Sequence, residues 1–400
     1  METVRGDQFA RLDGDWKVHP ANPPELLLRC DGGCATLRTH DTHGFMQTWG
    51  NPLEPLGYLT RRLDEVQGAR ARWIGFVNYE LGRCFEPLGT GPKDDLNLPL
   101  YAFGLYTQAN SPAAFALSPH IVKSSASRST FSRATYESAV QRVIDYIRAG
   151  DVFQVNLAQR FTTALPRQPL SIYQNLMQQN PATFGAFLDF GDFALISNSP
   201  ELFFRVTRDR KIITRPIKGT RPRGPGMERE LLESKKDQAE LAMIVDLERN
   251  DLGRICEKGS VRVVEPRVIE AHPTVYHGVA TIEGQLRDDA DFVRILRAMF
   301  PCGSVTGAPK IRAMEIIDEL EPVKRGPYCG AIGYLADDGT MEFNVAIRTM
   351  IVKDGLVHIP VGGGIVADSK PEAEYEETIV KALAMFDALG IDVDDFRSKT

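Results

Sequence analysis

Short apolar segments separated by turn residues occupy the first quarter of the chain. Residues 25–29, 35–38 and 72–79 are rich in aliphatic, aromatic or β-branched side chains, and glycine, proline and aspartate lie between them. Runs of about four to eight such residues between turn residues are typical of strands. The pattern therefore predicts short strands and turns as far as about residue 107.

The apolar positions change to helical spacing after Ser132. That serine is a typical N-cap, Gly150 follows the last periodic position, and one face carries Tyr136, Val140, Val143, Ile144 and Ile147. Residues 228–247 and 371–389 are predicted as two further helices, the second of them between a proline and a glycine.

Strands are predicted between these helices. Residues 152–157 and 341–349 read as strands, and residues 187–196 predict a hairpin that turns at Gly191–Asp192. Residues 303–310 form a glycine-containing loop that opens a helix, a geometry that attracts anions, but they lack the spacing of a Walker A phosphate loop.

Three regions follow from this organisation. Residues 1–107 form an N-terminal region, and residues 108–131, rich in serine, alanine and proline, form a surface connection. Residues 132–395 form the larger second region. The two large regions are expected to share one core.

One lysine is presented between a rigid and a flexible residue. In residues 214–224 a strand end is predicted to run into a loop, with Pro216 before Lys218 and Gly219 after it. Lysines in loops are mostly exposed and unreactive. A lysine that loses solvent in a pocket can instead lower its pKa and attack carbon.

Acidic residues lie at helical spacing on two of the predicted helices. Asp237 and Glu240 share one face, and Glu374, Glu377 and Lys381 share another. Such pairs are normally solvated. If the two helices face one another, however, the carboxylates converge, and Mg²⁺ is a hard cation that needs only one or two protein carboxylates.

Composition narrows the classes of partner. The formal net charge is −6, so a basic nucleic-acid-binding face is not expected. The first residues have no apolar signal core, and no stretch of about 18 apolar residues occurs, so a cytoplasmic location away from membranes is expected. The six cysteines form no CxxC pair and are expected to be reduced thiols.

Six motifs in order along the chain resemble those of the chorismate-utilising enzymes. The resemblance extends from about Ser132 to Leu389, and the matching segments are residues 154–160, 199–201, 216–220, 246–254, 303–315 and 362–377. It implies an α/β (α+β) fold in which two large, mainly antiparallel sheets pack as a sandwich with helices outside.

The resemblance also assigns the metal and the substrate contacts. The residues that match Mg²⁺ ligands are Glu240 and Glu377, with Asp237 and Glu374 in support. Substrate contacts are assigned to Thr220, His277, Thr306, Arg348, Gly362, Gly363, Gly364 and Lys381. The pattern departs around His277, where Gly278 and Ala280 replace the leucine and serine common in relatives.

Lys218 marks a branch of this family. Aminodeoxychorismate synthases resemble the chain in having a Pro-Ile-Lys-Gly-Thr segment, whereas anthranilate synthases typically carry alanine at the lysine position. The resemblance implies that Lys218 attacks the ring while Glu201 protonates the departing hydroxyl. Isochorismate and salicylate synthases place a water-activating lysine at the Gln154 position, and a glutamine amide does not titrate.

The implied activity is amination of chorismate to 4-amino-4-deoxychorismate, a precursor of p-aminobenzoate and folate. No GxCxG glutaminase elbow occurs in the sequence, so a separate glutaminase subunit is the expected source of ammonia. Two alternatives stay open: an anthranilate synthase component, and a non-catalytic subunit of the same fold.

Overall fold

The computed structural model describes residues 9–16, 18, 23–39, 44–66, 70–107, 127–392 and 394–397. The strands in this part of the chain are β1 Phe9–Leu12, β2 Leu26–Asp31, β3 Cys34–Thr39, β4 Phe45–Trp49, β5 Arg72–Val77, β6 Tyr101–Tyr106, β7 Arg128–Ser129, β8 Gln154–Ala164, β9 Phe184–Asp189, β10 Phe193–Ser199, β11 Leu202–Val206, β12 Lys211–Arg215, β13 Ile217–Pro222, β14 Arg262–Ala271, β15 Val275–Gln285, β16 Gly307–Ala308, β17 Ala331–Ala336, β18 Met341–Val345, β19 Thr349–Lys353 and β20 Leu356–Ile365.

The helices of the same residues are α1 Glu54–Glu65, α2 Arg133–Ala149, α3 Pro169–Gln179, α4 Met227–Glu233, α5 Lys235–Gly253, α6 Phe292–Met299, α7 Lys310–Leu320, α8 Pro371–Leu389 and α9 Asp394–Arg397. Short 3₁₀ turns cover Tyr79–Cys84 and Gly303–Val305. No helix in the described ranges combines the length and the hydropathy needed to span a bilayer.

Two sheets form the centre of the molecule. The larger has 12 strands in the order β13-β15-β12-β11-β18-β17-β5-β6-β2-β3-β4, with β14 also paired to β15. The smaller has 8 strands in the order β1-β9-β10-β19-β20-β8-β16, with β7 on β8. Every pairing between these strands is antiparallel, for example β20 with β8 and β17 with β5. The predicted pair of large antiparallel sheets is therefore confirmed.

Three apolar clusters define the layers. One lies between the sheets and joins residues such as Leu188 and Ile351 of the smaller sheet to Phe76 and Ile332 of the larger. A second covers the other face of the larger sheet beneath α1, α5 and α6. The third covers the other face of the smaller sheet beneath α2, α3, α7 and α8. Central strands of the smaller sheet, such as β8 and β10, are buried along their whole length.

The N-terminal strands belong to the larger sheet. Strand β5 pairs with β17 through Gly75 and Gly333, so residues before and after the predicted connection share one sheet. Residues 108–126 of that connection lie outside the described residues, and β7 then joins the smaller sheet. The three-region division stays a prediction.

One predicted helix is divided in two. Residues 228–247 were expected to be continuous, but the chain leaves helical geometry at Ser234, which has φ −64° and ψ 106°. The Ser234 hydroxyl accepts a hydrogen bond from the Asp237 amide and so caps α5. Serine competes for backbone amides in this way, and the prediction of one helix was wrong.

The start of α2 provides a test of local stability. Ser132 and Thr135 form a capping box in which each side chain bonds the other residue's backbone amide. Ser132→Ala should lower the free energy of unfolding by about 1 kcal/mol. Urea denaturation measures this loss. Ser138→Ala on the exposed face of the same helix is the matched control and should change stability by less than about 0.5 kcal/mol; equal losses in both variants would contradict the capping role.

Candidate functional site

A β-bulge places Lys218. In the pairing of β13 with β15, Ile217 lies opposite Val279 and Thr220 opposite His277, so three steps on one strand match two on the other. Gly219 absorbs the extra residue with φ +85°. The prediction of a loop at Lys218 was wrong, because the lysine lies in a strand whose bulge redirects its side chain.

The bulge also leaves no room for a side chain at Gly278, one of the positions that depart from the family pattern. A Cβ at Gly278 would lie 2.6 Å from the Lys218 carbonyl oxygen, which the bulge brings over β15. Even an alanine there would require the backbone to move. The glycine at 278 therefore belongs to the geometry that presents the lysine.

The amine of Lys218 lies between an acceptor and several charges. Its Nζ donates to the Ser304 carbonyl oxygen at 3.3 Å. Burial lowers the pKa of Lys218, and the carboxylates of Glu240 and Glu201 oppose that shift. A lowered pKa increases the fraction of neutral amine, which is the nucleophilic form.

Glycines on β20 form one wall beside this amine. A Cβ at Gly364 would lie 3.3 Å from Lys218 Nζ and 3.1 Å from the Gln154 amide nitrogen. A Cβ at Gly363 would lie 3.3 Å from a Glu374 carboxylate oxygen. Side chains at these positions would fill the space that the polar groups surround.

Glu201 is the buried acid of the site. Its residue is 3% exposed, and burial raises the pKa of its carboxyl, while Ser304 and Lys218 oppose the shift. Its Oε1 is buried without a hydrogen-bond partner in the described structure. A carboxyl with a raised pKa can hold a proton near neutral pH.

Gln154 is another buried polar residue beside the Lys218 amine. It is fully buried on β8, and both polar atoms of its amide lack hydrogen-bond partners in the described residues. Unsatisfied buried amides are rare because they cost free energy. With its amide next to the Gly364 position, this side chain is available to a ligand or an ordered water.

Arg348 contributes a positively charged guanidinium to the site. It was expected to end a strand, but β18 stops at Val345 and Arg348 lies in the connection to β19 with φ +49°. Within the residues that the structure describes, its guanidinium forms no ion pair, and its main interaction with a charged group is with Glu201. Burial lowers the pKa of Arg348. A guanidinium in this state is suited to a planar carboxylate.

His277 and Thr220 meet across the bulge. The Thr220 hydroxyl and His277 Nδ1 are 2.8 Å apart. Burial and the charge of Arg348 lower the pKa of His277 to about 3, so the ring is neutral near pH 7. Because Nδ1 is engaged, Nε2 is the nitrogen left to contact a ligand.

The carboxylates of the two predicted metal ligands, Glu240 and Glu377, repel each other. Burial raises the pKa of Glu240, and Glu377 adds to that shift. Desolvation acts to raise the pKa of Glu377, but Lys381, 2.6 Å away, lowers it overall. Lys236 lies 3.7 Å from Glu240. Each carboxylate thus has an ammonium nearby.

The supporting carboxylates have other partners. Asp237 forms an ion pair with Arg221 at 3.0 Å, and Glu374 accepts a hydrogen bond from the Ser369 hydroxyl at 2.6 Å. In the described ranges, no group of three or more His, Cys, Asp or Glu side chains is arranged to hold a metal. Glu240 and Glu377 still fit Mg²⁺, which takes few protein carboxylates, and a cation between them would relieve their repulsion.

The remaining assigned residues differ in exposure. Lys381 is exposed, and its Nζ also donates to the Gly362 carbonyl oxygen at 2.9 Å. Thr306 is fully buried, and its hydroxyl donates to the Cys302 carbonyl oxygen at 3.0 Å. The Thr306 hydroxyl therefore helps to hold the backbone of the 303–306 loop from its buried side.

Sequence patterns missed the residues behind this loop. The buried guanidinium of Arg325 pairs with Glu321 and donates to the Val305 and Asn156 carbonyl oxygens at 2.9 and 2.6 Å. Glu248 contacts Cys302. Most of the residues that they contact are far apart from them in sequence, so no local pattern pointed to those interactions.

The fold agrees with comparisons to known proteins. A family model described as chorismate binding enzyme matches residues 22–387, and the chain belongs to that family. Aminodeoxychorismate synthase component 1 of Bacillus subtilis is 44% identical over 444 aligned residues, covering 99% of this chain and 92% of that protein.

Relatives with a second name are also similar. Anthranilate synthase component 1 of Pseudomonas aeruginosa is 48% identical over 270 residues, 66% of this chain, and the match spans 55% of that protein, about half its length. The crystal structure of anthranilate synthase component I from Streptococcus pneumoniae superposes with a TM-score of 0.79 at 30% identity, covering 96% and 93% of the two chains. The predicted family is confirmed, and both member names occur among its relatives.

The lowered pKa of Lys218 can be measured directly. After reductive methylation with ¹³C-formaldehyde, the NMR signal that Lys218→Arg removes should titrate below the ordinary lysine pKa. Glu240→Gln should lower that pKa further, because the Glu240 carboxylate favours the ammonium form. Glu372→Gln, on the exposed face of α8, is the control and should leave the titration unchanged. A higher pKa in Glu240→Gln would contradict the arrangement.

Proposed function

We propose that this protein is an aminodeoxychorismate synthase component 1, which aminates chorismate at C4. The observation that carries the proposal is the Lys218 amine, whose lowered pKa makes it nucleophilic beside the buried acid Glu201. The full-length similarity to the Bacillus subtilis protein supports the same branch.

The cationic and glycine-lined surfaces suit a ligand with two carboxylates. Arg348 would bind the enolpyruvyl carboxylate by paired hydrogen bonds, since its guanidinium has no ion pair in the described structure. Gly362, Gly363 and Gly364 would let that carboxylate approach the β20 backbone. His277 Nε2 would hydrogen-bond the substrate beside Arg348.

Lys218 and Glu201 would carry out the first step. The neutral amine of Lys218 attacks C2, the ring double bonds shift, and the C4–O bond breaks as Glu201 gives its proton to the departing oxygen, which leaves as water. The nitrogen of the new C2–N bond keeps both of its protons and is positively charged. Ammonia then adds at C4, the double bonds shift back, and the electrons of the C2–N bond return to Lys218, which leaves as the neutral amine. The ammonium formed at C4 gives one proton to the Glu201 carboxylate, which restores the acid. Overall, one hydroxyl is exchanged for one amino group.

Glu240 and Glu377 would hold Mg²⁺, which the family resemblance implies. When bound, the ion would supply positive charge to the ring carboxylate of the substrate. Lys236 opposes the rise that burial causes in the pKa of Glu240, and Lys381 lowers the pKa of Glu377. Asp237 and Glu374, each bonded to a protein group, would position their neighbours.

The nitrogen source is proposed to be a separate glutaminase. The relatives' designation as component 1 supports a partner subunit. A second candidate activity is anthranilate formation, since a relative of that name is 48% identical over 270 residues. Gln154 cannot serve as a titrating base, which disfavours addition of water in either case.

Product analysis distinguishes these activities. Protein incubated with chorismate, Mg²⁺ and ammonium should yield the mass of 4-amino-4-deoxychorismate, and the denatured protein should carry an adduct at Lys218. Lys218→Ala should abolish both, because it removes the amine that attacks the ring in the proposed first step. Lys258→Ala, an exposed lysine, is the matched control and should retain both.

Other outcomes would redirect the proposal. Fluorescent anthranilate as the main product would favour the second candidate. An adduct that persists in Lys218→Ala would contradict the assigned nucleophile. With glutamine in place of ammonium, product should form only when a glutaminase is added.

Removal of the metal ligands gives an independent test. Glu240→Gln and Glu377→Gln should each weaken Mn²⁺ binding in the presence of chorismate at least about 10-fold, since each removes a carboxylate ligand. Electron paramagnetic resonance measures free Mn²⁺ directly. Glu372→Gln on the same helix as Glu377 should bind as the parent does. Unchanged affinity in both site variants would place the metal elsewhere.

A further inference from the structure

A second buried carboxyl lies behind Glu201. Glu248 projects from α5 and is 2% exposed. Its Oε2 accepts a hydrogen bond from the Thr214 hydroxyl at 2.7 Å, and its Oε1 is 3.5 Å from the Cys302 thiol. Within the described residues it forms no ion pair. Neighbouring residues of the same core are apolar.

An unpaired carboxylate in such a place is costly, so the group is expected to hold a proton. Burial raises the pKa of Glu248 to about 8, against the opposing effect of the Thr214 hydroxyl. Near pH 7 the carboxyl is therefore mostly neutral. The site thus stores a proton that its first-step chemistry has not used.

Polar side chains connect this carboxyl to the acid of the site. The Cys302 thiol, which contacts Glu248, lies 3.2 Å from the Ser304 hydroxyl. The Ser304 side chain in turn interacts with the Glu201 carboxyl. All of these residues are buried, so bulk water does not interrupt the path.

We propose that Glu248 is a positioning and proton-storing residue, which replenishes the proton of Glu201 through Cys302 and Ser304. The inference rests on the proposed function, in which Glu201 protonates the C4 oxygen. As Glu201 gives up its proton, it takes the hydroxyl proton of Ser304, Ser304 takes the thiol proton of Cys302, and Cys302 takes the carboxyl proton of Glu248. When ammonia adds at C4, the resulting ammonium gives one proton to Glu201 while Glu201 passes its own back through Ser304 and Cys302 to Glu248.

The titratable groups around Glu248 agree with this role. Glu201 and Asp251 both disfavour its ionisation, and Asp251 is itself paired with Lys310 at 2.6 Å. Cys302 contributes a thiol whose pKa burial raises well above its ordinary value, so it transfers a proton without ionising at neutral pH. Of the three relay residues Glu248, Cys302 and Ser304, Glu248 is thus the one whose side chain can release a proton near pH 7.

Single-turnover kinetics test the relay. With protein in excess over chorismate, the rate of Lys218 adduct formation is followed by quenched-flow mass spectrometry without ammonium. Glu248→Gln should slow this step on the order of 10-fold with unchanged chorismate affinity, since an amide keeps the hydrogen bonds but has no proton to transfer. The alkaline limb of the parent's pH profile should fall near pH 8, where Glu248 loses its proton, and Glu248→Gln should remove that dependence.

Variants of the thiol separate a relay from a structural role. Cys302→Ala should cause the same loss as Glu248→Gln, and the double variant should lose no more. Cys302→Ser should restore the parent rate, because a hydroxyl can pass the proton. Glu80→Gln is the matched control: Glu80 is another buried glutamate with a pKa raised by burial to about 7, but it bonds the Arg325 and Gly326 amides away from Glu201.

An infrared measurement separates failure of the relay from failure of the proposed function. The parent protein should show a protonated-carboxyl band that is missing in Glu248→Gln and that disappears as pH rises through about 8. Absence of that band, a parent-like rate in Glu248→Gln, or additive losses in the double variant would overturn the relay. If no adduct forms even in the parent while the band is present, the proposed amination is wrong and the stored proton stands.

Discussion

The extra residue in β13 is the constraint on which the site depends. In a regular antiparallel pair, successive side chains alternate between faces, and register is fixed by burial. The bulge between Ile217 and Thr220 changes this alternation at one place. It requires a positive φ at Gly219, and it brings the Lys218 carbonyl so close to β15 that Gly278 has no room for a Cβ. The lysine, its two glycines and the Thr220–His277 contact are therefore parts of one local geometry.

Several charged groups of the site have a pKa shifted toward the neutral form or lack an ion pair. Lys218 has a lowered pKa, Glu201 has a raised pKa, and Arg348 has no ion pair among the described side chains. Buried groups of this kind destabilise a fold unless a ligand compensates them. Their concentration at one place, together with the unsatisfied amide of Gln154, is what identifies a site in the absence of any bound molecule.

Local signals in the sequence were sufficient for individual elements of the fold. The serine cap and terminal glycine of α2, and the turn at Gly191, depend on neighbouring residues, and the structure has them as predicted. The sheet pair and the set of site residues came from the family resemblance. By contrast, the bulge at Lys218, the break at Ser234 and the position of Arg348 depend on how strands and helices meet. Periodicity within one segment carries no information about such contacts.

The 303–306 loop contacts both Lys218 and Glu201. The carbonyl of Ser304 accepts the hydrogen bond of the Lys218 amine, while its side chain interacts with Glu201. One residue thus contacts both of the groups that are proposed to act on the ring. The loop is held in place by Arg325, whose guanidinium donates to the Val305 carbonyl oxygen and to the Asn156 carbonyl oxygen of β8, the strand that carries Gln154.

A buried ion pair is weak evidence for stability, since apolar residues often replace one at no cost. The Arg325 guanidinium of this pair also binds the Val305 and Asn156 carbonyl oxygens, so it joins the 303–306 loop to β8. A shift of about 1 Å in such a geometry is enough to impair a reaction. Conformational precision, more than stability, accounts for a charged pair in the core at this point.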